Sequence, residues 1–446
     1  MKLGFYIIMA AQFFSALADN ALLIAAIAML RDMNAPASYA PLLKTFFTLS
    51  YVVLAAFVGA YADSMPKWRV MFISNGIKVA GCMLMFVNVH PLYAYAVVGL
   101  GAAAYSPAKY GILTEYLPHR LLVVANGWVE GLTVIAIILG TVLGGALIKP
   151  DIAQAILSFD LPYIDTGIDT VGEMNLLVVV GLYVVAAIFN LYIPETGVDH
   201  VPLKKNPWYL VHEFKHCLAL LWRDKLGQVS LAVTTLFWGA GATLQFIVLD
   251  WARAALNMDL SKASMLQGIV AVGVATGAFA AARLISLRRS VKVIPLGIAM
   301  GLVVIAMVLM PLIPAVPLGD FRFDLFGRPI HLNVELRTTI SLMLLTFVGA
   351  LSGLFVVPMN ALLQHRGHVL MGAGHSIAVQ NFNENLSILV MTFVYSALMS
   401  FHIHIYWVIT LFGVFVAGAM WLIKHRHEAN QREYDDVIHL DDGCNH

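Results

Sequence analysis

The residues of this chain that could do chemistry are ionisable side chains inside long apolar runs. They are Asp19, Lys78, Lys109, Glu130, Asp250 and Glu384. One such charge costs about 2.5–3.5 kcal/mol on membrane-insertion scales, so it usually faces a cavity or an oppositely charged partner. We predict that Asp19 and Lys109 line a hydrated cavity, whereas Lys78 pairs with an acid or extends to the membrane surface.

Polar residues recur at helical spacing beside these charges. Gln12, Ser15 and Asp19 stand at i, i+3 and i+7, so they share one helix face. Further rows are Asn126 with Glu130, and Ser376, Gln380, Asn383 and Ser387 next to Glu384. A cavity lined for a ligand explains these rows, and so does polar packing between helices. The candidate ligand contacts are Asp19, Lys109, Gln12, Gln245, Asn360, Gln380 and Asn383.

The composition places these residues in a membrane and argues against nucleic-acid-binding proteins, metal proteins and enzymes. Of the 446 residues, 60% are hydrophobic and 12% are charged, about half the charged share of a soluble domain. A net charge of +1 does not favour nucleic acid. Cys82, Cys217 and Cys444 make no metal or disulfide pattern. Serine-elbow, metalloprotease, acyltransferase and phosphate-loop motifs are missing, so we predict no enzyme, no metal and no cofactor.

Long apolar runs supply the elements that must position the charged residues. A membrane-spanning helix needs about 20 mostly apolar residues. On that basis we predict twelve spans, near 5–30, 43–63, 70–90, 92–117, 122–148, 175–194, 229–255, 264–286, 291–314, 338–363, 372–400 and 403–424. Lys and Arg concentrate in the loops on one side, and the positive-inside rule then puts both termini in the cytoplasm.

The spans are arranged as six, a long connection, and six more. We predict a six-helix bundle over 1–194, a connection over 195–228, a second bundle over 229–424 and a cytoplasmic tail over 425–446. In the connection, Trp208, Val211, Leu218, Leu221 and Trp222 recur at helical spacing among Lys and Arg. That pattern is typical of an amphipathic helix on the inner leaflet, and a solvated linker is the alternative.

Two pairs of segments indicate an internal repeat. The turn from Gly59 through Asp63 to Arg69 has a counterpart beginning at Gly277, and Pro107 in span 4 matches Pro358 in span 10. Repeats with paired helix kinks are typical of transporter folds, in which the halves move. We assign Asp63, Arg69, Pro107 and Pro358 to this motion. Beyond the prolines, Glu115 and Arg366 are predicted to pair when the cytoplasmic gate is shut.

Five stretches resemble the bacterial lysophospholipid transporter family of the major facilitator superfamily. They are AQFFSALADNALL (11–23), GAAAYSPAKYGIL (101–113), TLFWGAGATLQF (235–246), VVPMNALLQ (356–364) and GAGHSIAVQNFNEN (372–385). The resemblance implies an all-α membrane fold of twelve helices in two halves. It also implies a flippase that moves lysophosphatidylethanolamine from the outer to the inner leaflet of the bacterial inner membrane, where an acyltransferase restores the diacyl lipid.

A zwitterionic headgroup needs one acidic and one basic group. We predict that Asp19 draws the ammonium of an ethanolamine headgroup or closes a gate, and that Lys109 meets the phosphate. Lys109 is equally suited to neutralise Glu130 or Glu115.

The chain departs from the family pattern at three positions. Ser64 and Pro66 replace the basic residue and the glycine usual in the turn, and Gln245 replaces an arginine that could pair with Asp19. The alternative function is a proton-coupled drug exporter of the same superfamily, with Asp19, Glu130 and Glu384 as proton carriers.

Overall fold

The computed structural model describes residues 3–36, 39–147, 171–204, 206–258, 260–325 and 328–433. Its α-helices are α1 (Leu3–Asp32), α2 (Tyr39–Val53), α3 (Ala55–Asp63), α4 (Lys67–Phe86), α5 (Pro91–Tyr116), α6 (Leu122–Leu147), α7 (Val171–Leu191), α8 (Pro207–Arg223), α9 (Lys225–Leu256), α10 (Leu260–Leu284), α11 (Ile294–Ala306), α12 (Leu336–Met371), α13 (Ala373–Ser400) and α14 (Ile405–Glu433). Short 3₁₀ helices lie at His119–Leu121, Leu287–Val293 and Met307–Leu312, and two antiparallel strands, β1 (Pro317–Leu325) and β2 (Arg328–Glu335), form a hairpin.

Each of the twelve predicted spans coincides with a helix or a consecutive pair of helices. Within the described ranges, nine helical segments are long and apolar enough to cross a membrane, and the bent pair α2–α3 makes ten. The remaining two, α5 and α13, have 26 and 28 residues. At about 1.5 Å per residue, either helix exceeds the roughly 30 Å of a hydrocarbon core.

Local sequence signals explain several helix boundaries. Asn206 accepts a hydrogen bond from the Trp208 amide at 3.1 Å, and Pro207 occupies the first helical position of α8. His90 and Pro91 begin α5 in the same way. The second predicted span is broken between Val53 and Ala55, where α2 and α3 meet at a bend of 64°.

The chain divides into two compact units. The first unit is Met1–Gln228 with Leu363–Asn385, and the second is Val229–Leu362 with Leu386–His446. The first therefore includes the end of α12 and the beginning of α13. Its core lies where α1, α4, α5 and α7 meet, around Leu22, Tyr95 and Tyr183. The predicted division into 1–194, 195–228, 229–424 and 425–446 stays a prediction.

Small residues bring helices into close contact within each unit. In the first unit, a Cβ on Gly140 of α6 would lie 2.6 Å from the carbonyl oxygen of Leu17 in α1. In the second, a Cβ on Gly277 of α10 would overlap the carbonyl of Ala350 in α12. Membrane helices associate through such small-residue contacts because lipid provides no hydrophobic force between them.

The connection over 195–228 contains the helix α8, where an amphipathic helix is predicted. Leu210, Phe214, Cys217 and Leu221 of α8 are buried against the protein. Phe214 meets Phe382 of α13 edge to face, with ring centroids 5.4 Å apart. Trp208 and Trp222, two of the residues on which the prediction of an amphipathic helix rests, are exposed, so contact of α8 with the inner leaflet stays a prediction.

The predicted tail begins as helix, because α14 continues through Lys424 to Glu433. The acidic residues at 435, 436, 441 and 442 lie outside the described residues.

Candidate functional site

The first unit holds an ion pair inside its membrane-spanning helices. The ammonium of Lys78 on α4 lies 2.9 Å from both carboxylate oxygens of Asp19 on α1. The Lys78 side chain is 1% exposed, whereas that of Asp19 is 23% exposed. Lys78 thus pairs, one of the two outcomes predicted for it. Part of the Asp19 carboxylate remains accessible to solvent or to a ligand.

Neighbouring polar side chains hold this pair in place. The hydroxyl of Tyr183 on α7 donates to Asp19 Oδ1 at 2.7 Å, and Lys78 donates to Ser15 Oγ at 3.0 Å. Ser15 in turn donates to Asn75 Oδ1 at 3.0 Å. The Lys78 ammonium also lies 4.8 Å from the ring centroid of Tyr105, within the range of a cation–π contact. The arrangement satisfies a buried charge that alone would be costly.

The polar face of α1 therefore joins helices as well as carrying Asp19. Gln12 donates to the backbone carbonyl of Lys109 on α5 at 2.8 Å, and Ser15 faces α4. These contacts match the packing interpretation of the row. The accessible edge of Asp19 leaves the ligand interpretation open for that residue.

Lys109 and Glu130 add two further charges to the interior of the first unit. Within the described part of the chain, the Lys109 ammonium makes no hydrogen bond or ion pair, and its aromatic contact is Tyr110 at 4.8 Å. Glu130 on α6 is buried, and among the described residues its Oε1 has no hydrogen-bond partner. Buried polar groups are normally hydrogen-bonded, so the Glu130 oxygen is an exception in this interior.

A second polar cluster centres on Asp63, the last residue of α3. Its carboxylate accepts the backbone N–H groups of Gly374 at 2.7 Å and His375 at 3.0 Å, at the beginning of α13. The His375 ring donates from Nδ1 at 2.8 Å. The first amides of a helix have no partner within it, and the helix dipole favours an anion there, so Asp63 caps α13 from another helix.

The cation of this cluster is Lys67, a residue of the same turn that was not assigned to a site. Lys67 Nζ lies 2.8 Å from Asp63 and 3.1 Å from Glu115, and its side chain is 2% exposed. Arg69, two residues further along α4, is exposed and lies over the Trp68 ring at 5.3 Å. Lys67, the first residue of α4, is buried, and the assignment of Arg69 to the motion stays a prediction.

The predicted pair of Glu115 and Arg366 is not formed among the described residues. Glu115 contacts Lys67 and accepts a hydrogen bond from Thr196 at 3.0 Å. Arg366 forms a bidentate ion pair with Asp224, the residue between α8 and α9. Each side chain therefore has another partner of opposite charge, Lys67 at the beginning of α4 for Glu115 and Asp224 for Arg366.

Side-chain amides and a hydroxyl connect α12 and α13 with the rest of the first unit. Asn126 on α6 and Gln364 on α12 exchange two buried hydrogen bonds at 2.8 and 2.9 Å. Asn381 on α13 donates to Ser106 on α5 at 2.8 Å. One helical turn away, Gln380 donates to Glu384 at 2.7 Å.

The other predicted site residues are distributed along the helices. Asn383 donates to the Val379 carbonyl of its own helix at 2.8 Å. Gln245 on α9 is exposed and Asn360 on α12 is buried. Pro107 and Pro358 lie inside α5 and α12, each of which continues past its proline.

Sequence reasoning did not assign His375, Glu213 or Tyr183 to a site. His375 Nε2 lies 3.7 Å from a Glu213 oxygen on α8, so the imidazole stands between two carboxylates. The sequence signal for His375 was its position after Gly372 and Gly374, at the beginning of a predicted span. In the described part of the chain, no group of three or more His, Cys, Asp or Glu is placed to hold a metal ion.

Comparison with known proteins identifies the family. The family model "Major Facilitator Superfamily" matches residues 8–391. A lysophospholipid transporter of Yersinia enterocolitica is 37% identical over 397 residues, which are 89% of this chain and 87% of that protein. One of Serratia proteamaculans is 39% identical over 87% of each chain. The chain belongs to the lysophospholipid transporter family of the major facilitator superfamily.

Solved structures confirm the major facilitator fold. A bacterial homologue of the iron transporter ferroportin superposes with a TM-score of 0.67 at 11% identity, over 97% of this chain and all of that one. The Escherichia coli fucose:proton symporter gives a TM-score of 0.63 at 15% identity, over 95% and 98% of the two chains. The family is one of multi-pass membrane transporters and not a class of enzymes.

Proposed function

We propose that this protein transports lysophospholipids, chiefly lysophosphatidylethanolamine, from the outer to the inner leaflet of a bacterial inner membrane. Its relatives carry the name of that substrate class. Two further proposals follow from the sequence. The excess of Lys and Arg on one side puts both termini in the cytoplasm. Delivery of a lysolipid to the inner leaflet would supply a membrane acyltransferase that restores the second chain.

The observation that carries the proposal is the partly exposed Asp19 carboxylate within the spanning helices. Lys78 neutralises its charge from one side, and the accessible edge provides an oxygen for the ammonium of an ethanolamine headgroup. Lys109, whose ammonium makes no hydrogen bond to any described residue, is the cation proposed for the phosphate. Glu130 contributes a further acceptor with an unpartnered oxygen among the described residues.

We assign the Asp63 cluster to the gate of an alternating-access cycle. Charged hydrogen bonds of Asp63, Lys67, Glu115 and His375 join the ends of α3, α4, α5 and α13. Residues 363–385, which come from the second half of the chain, belong to the first compact unit together with this cluster. If residues 363–385 move away from α3, α4 and α5 during transport, these bonds must break together. That is expected of a gate that is closed in one state and open in the other.

The test is uptake of labelled lysophosphatidylethanolamine into spheroplasts that express this chain. We expect Asp19→Asn to abolish uptake and Lys109→Ala to reduce it. Asp32→Asn is the matched control, since Asp32 is exposed at the end of the same helix. A panel of competing drugs and a protonophore separate this function from proton-coupled drug export, and inhibition by either would favour the exporter.

A double variant separates headgroup binding from charge neutralisation. Asp19→Asn alone leaves Lys78 buried without its carboxylate, which costs about 3–5 kcal/mol and can impair folding. Asp19→Asn with Lys78→Met removes both charges. We expect this variant to accumulate in the membrane and still to lack uptake. Restored uptake would show that Asp19 serves only to balance Lys78, and the proposed headgroup contact would be wrong.

A further inference from the structure

The second unit contains a cavity of about 350 Å³ between α9, α13 and α14. Apart from Thr243 and Tyr395, its lining side chains are aliphatic, aromatic or methionine. The Thr243 hydroxyl donates to the Gly239 carbonyl at 3.0 Å, and the Tyr395 hydroxyl donates to Asp250. Both polar groups of the wall thus have partners. Apolar cavities of this kind stay dry and bind apolar ligands.

The cavity opens on the outer surface of the spanning helices. Val390, Val394, Leu411 and Phe415 line it, and each of these side chains is between 49% and 53% exposed. The medium in contact with that surface is the hydrocarbon of the membrane. A lipid acyl chain can therefore enter the cavity from the side without crossing water.

The cavity is a groove, and its wall on α9 leads toward an ion pair of Asp250 and Arg253. Thr243, Ile247 and Asp250 stand at i, i+4 and i+7, so the groove follows one face of α9 toward its C-terminal end. Arg253 lies three residues, about one turn, beyond Asp250 and is 50% exposed. Of the described residues, only Asp250, at 3.8 Å, lies within ion-pair distance of Arg253. An apolar groove that leads toward an accessible guanidinium matches an acyl chain attached to a phosphate.

We infer that this groove binds one acyl chain of a diacyl membrane phospholipid, with Arg253 contacting the phosphate. A helix of a second copy is too large for it, since one helical turn about 10 Å across and 5.4 Å high occupies roughly 400 Å³. The groove shares no residue with the Asp19 pair or the Asp63 cluster. The lipid is thus a resident of the second unit, in addition to the transported substrate.

Photo-crosslinking in nanodiscs tests this inference with the full chain. The probe is phosphatidylglycerol with a diazirine near the end of one acyl chain, and labelled peptides are located by mass spectrometry. We expect label on the α13 and α14 peptides that contain Met391 and Phe412. Tryptophan at either rim position, Val394→Trp or Leu411→Trp, should fill the groove and lower that label about tenfold, equivalent to roughly 1.4 kcal/mol.

Two further variants complete the design. Val414→Trp is the control, because Val414 is exposed on α14 but does not line the cavity; its labelling should equal that of the parent protein. Arg253→Gln should lower labelling about threefold, as expected for a half-exposed ion pair. Excess unlabelled phosphatidylglycerol should compete, whereas lysophosphatidylethanolamine should not.

Four results would overturn the inference. They are label spread evenly over all lipid-facing helices, unchanged labelling in both rim variants, displacement of the probe by lysophosphatidylethanolamine, and crosslinks at Val394→Cys between two copies of the chain. The third would make the groove part of the substrate path, and the fourth would make it a protein interface.

Discussion

Replacing Asp63 by asparagine tests the proposed gate at its central residue. The Gly374 and His375 amides are at the beginning of α13, where a helix provides no acceptor for them, and both donate to Asp63. Their protection from hydrogen exchange therefore depends on this one carboxylate. The amide of asparagine retains the size of the side chain and one acceptor oxygen, but it loses the charge that Lys67 and the helix dipole favour.

The expected effect can be worked from these contacts. A hydrogen bond to a charged group contributes about 1.5–3 kcal/mol, and the substitution weakens both amide bonds and removes the ion pair with Lys67. A loss of about 2–4 kcal/mol in the free energy of opening corresponds to exchange roughly 30- to 1,000-fold faster at Gly374 and His375. Peptides of α6 should exchange at the parental rate, because α6 has no contact with Asp63 in the described structure.

The assay is hydrogen–deuterium exchange of the purified protein in nanodiscs, followed by mass spectrometry. Asp199→Asn is the matched control, since Asp199 is exposed in the connection after α7. Gly374→Ala perturbs the same contact by size, because its Cβ would lie 2.5 Å from Asp63 Oδ1 and 2.6 Å from the Gly59 carbonyl oxygen. If a folded Asp63→Asn protein kept the parental protection from hydrogen exchange at Gly374 and His375, Asp63 would not hold the gate closed.

Two further predictions concern other contacts of the first unit. Gln364→Ala leaves the buried Asn126 Oδ1 without its donor, while the Asn126 amide still donates to the Leu122 carbonyl. It should lower the free energy of unfolding by about 1–3 kcal/mol, seen as a lower Tm. With Asn126→Ala the two losses should be less than additive, and full additivity would contradict the pairing. Burial raises the pKa of the Cys217 thiol on α8 to about 11, so at pH 7.5 the reactive thiolate is scarce. Maleimide should leave the Cys217 peptide unlabelled in the folded protein and label it after denaturation, whereas rapid labelling of folded protein would show that α8 leaves its packed position.

The spanning helices were predictable because their signal is local. Each apolar run needs only its own residues to satisfy its backbone as a helix in lipid. The position of α8 was also readable from its spacing. The partner of its apolar face was not, because Leu210 and Phe214 have the same periodicity whether they meet a leaflet or a protein core.

The pairing of charges was less predictable. Asp19 and Lys78 were both recognised as intramembrane charges, but their sequence separation gives no indication that α1 and α4 place them 2.9 Å apart. Glu115 and Arg366 were matched by a repeat argument, which compares equivalent positions in the two halves. It gives no information on which other charges lie within ion-pair distance, such as Lys67 for Glu115 and Asp224 for Arg366. His375 was missed because its role depends on an amide-capping carboxylate more than 300 residues away.

By itself the sequence determined that this chain is a multi-pass membrane protein, which residues are the costly buried charges, and which family it belongs to. These properties follow from side-chain chemistry and local spacing, which any fold of the chain must satisfy. The tertiary structure decided which charge meets which: Lys78 with Asp19, Lys67 with Asp63, and Arg366 with Asp224. Coulombic and hydrogen-bond energies depend on distances of a few ångströms, and only helix packing sets those distances.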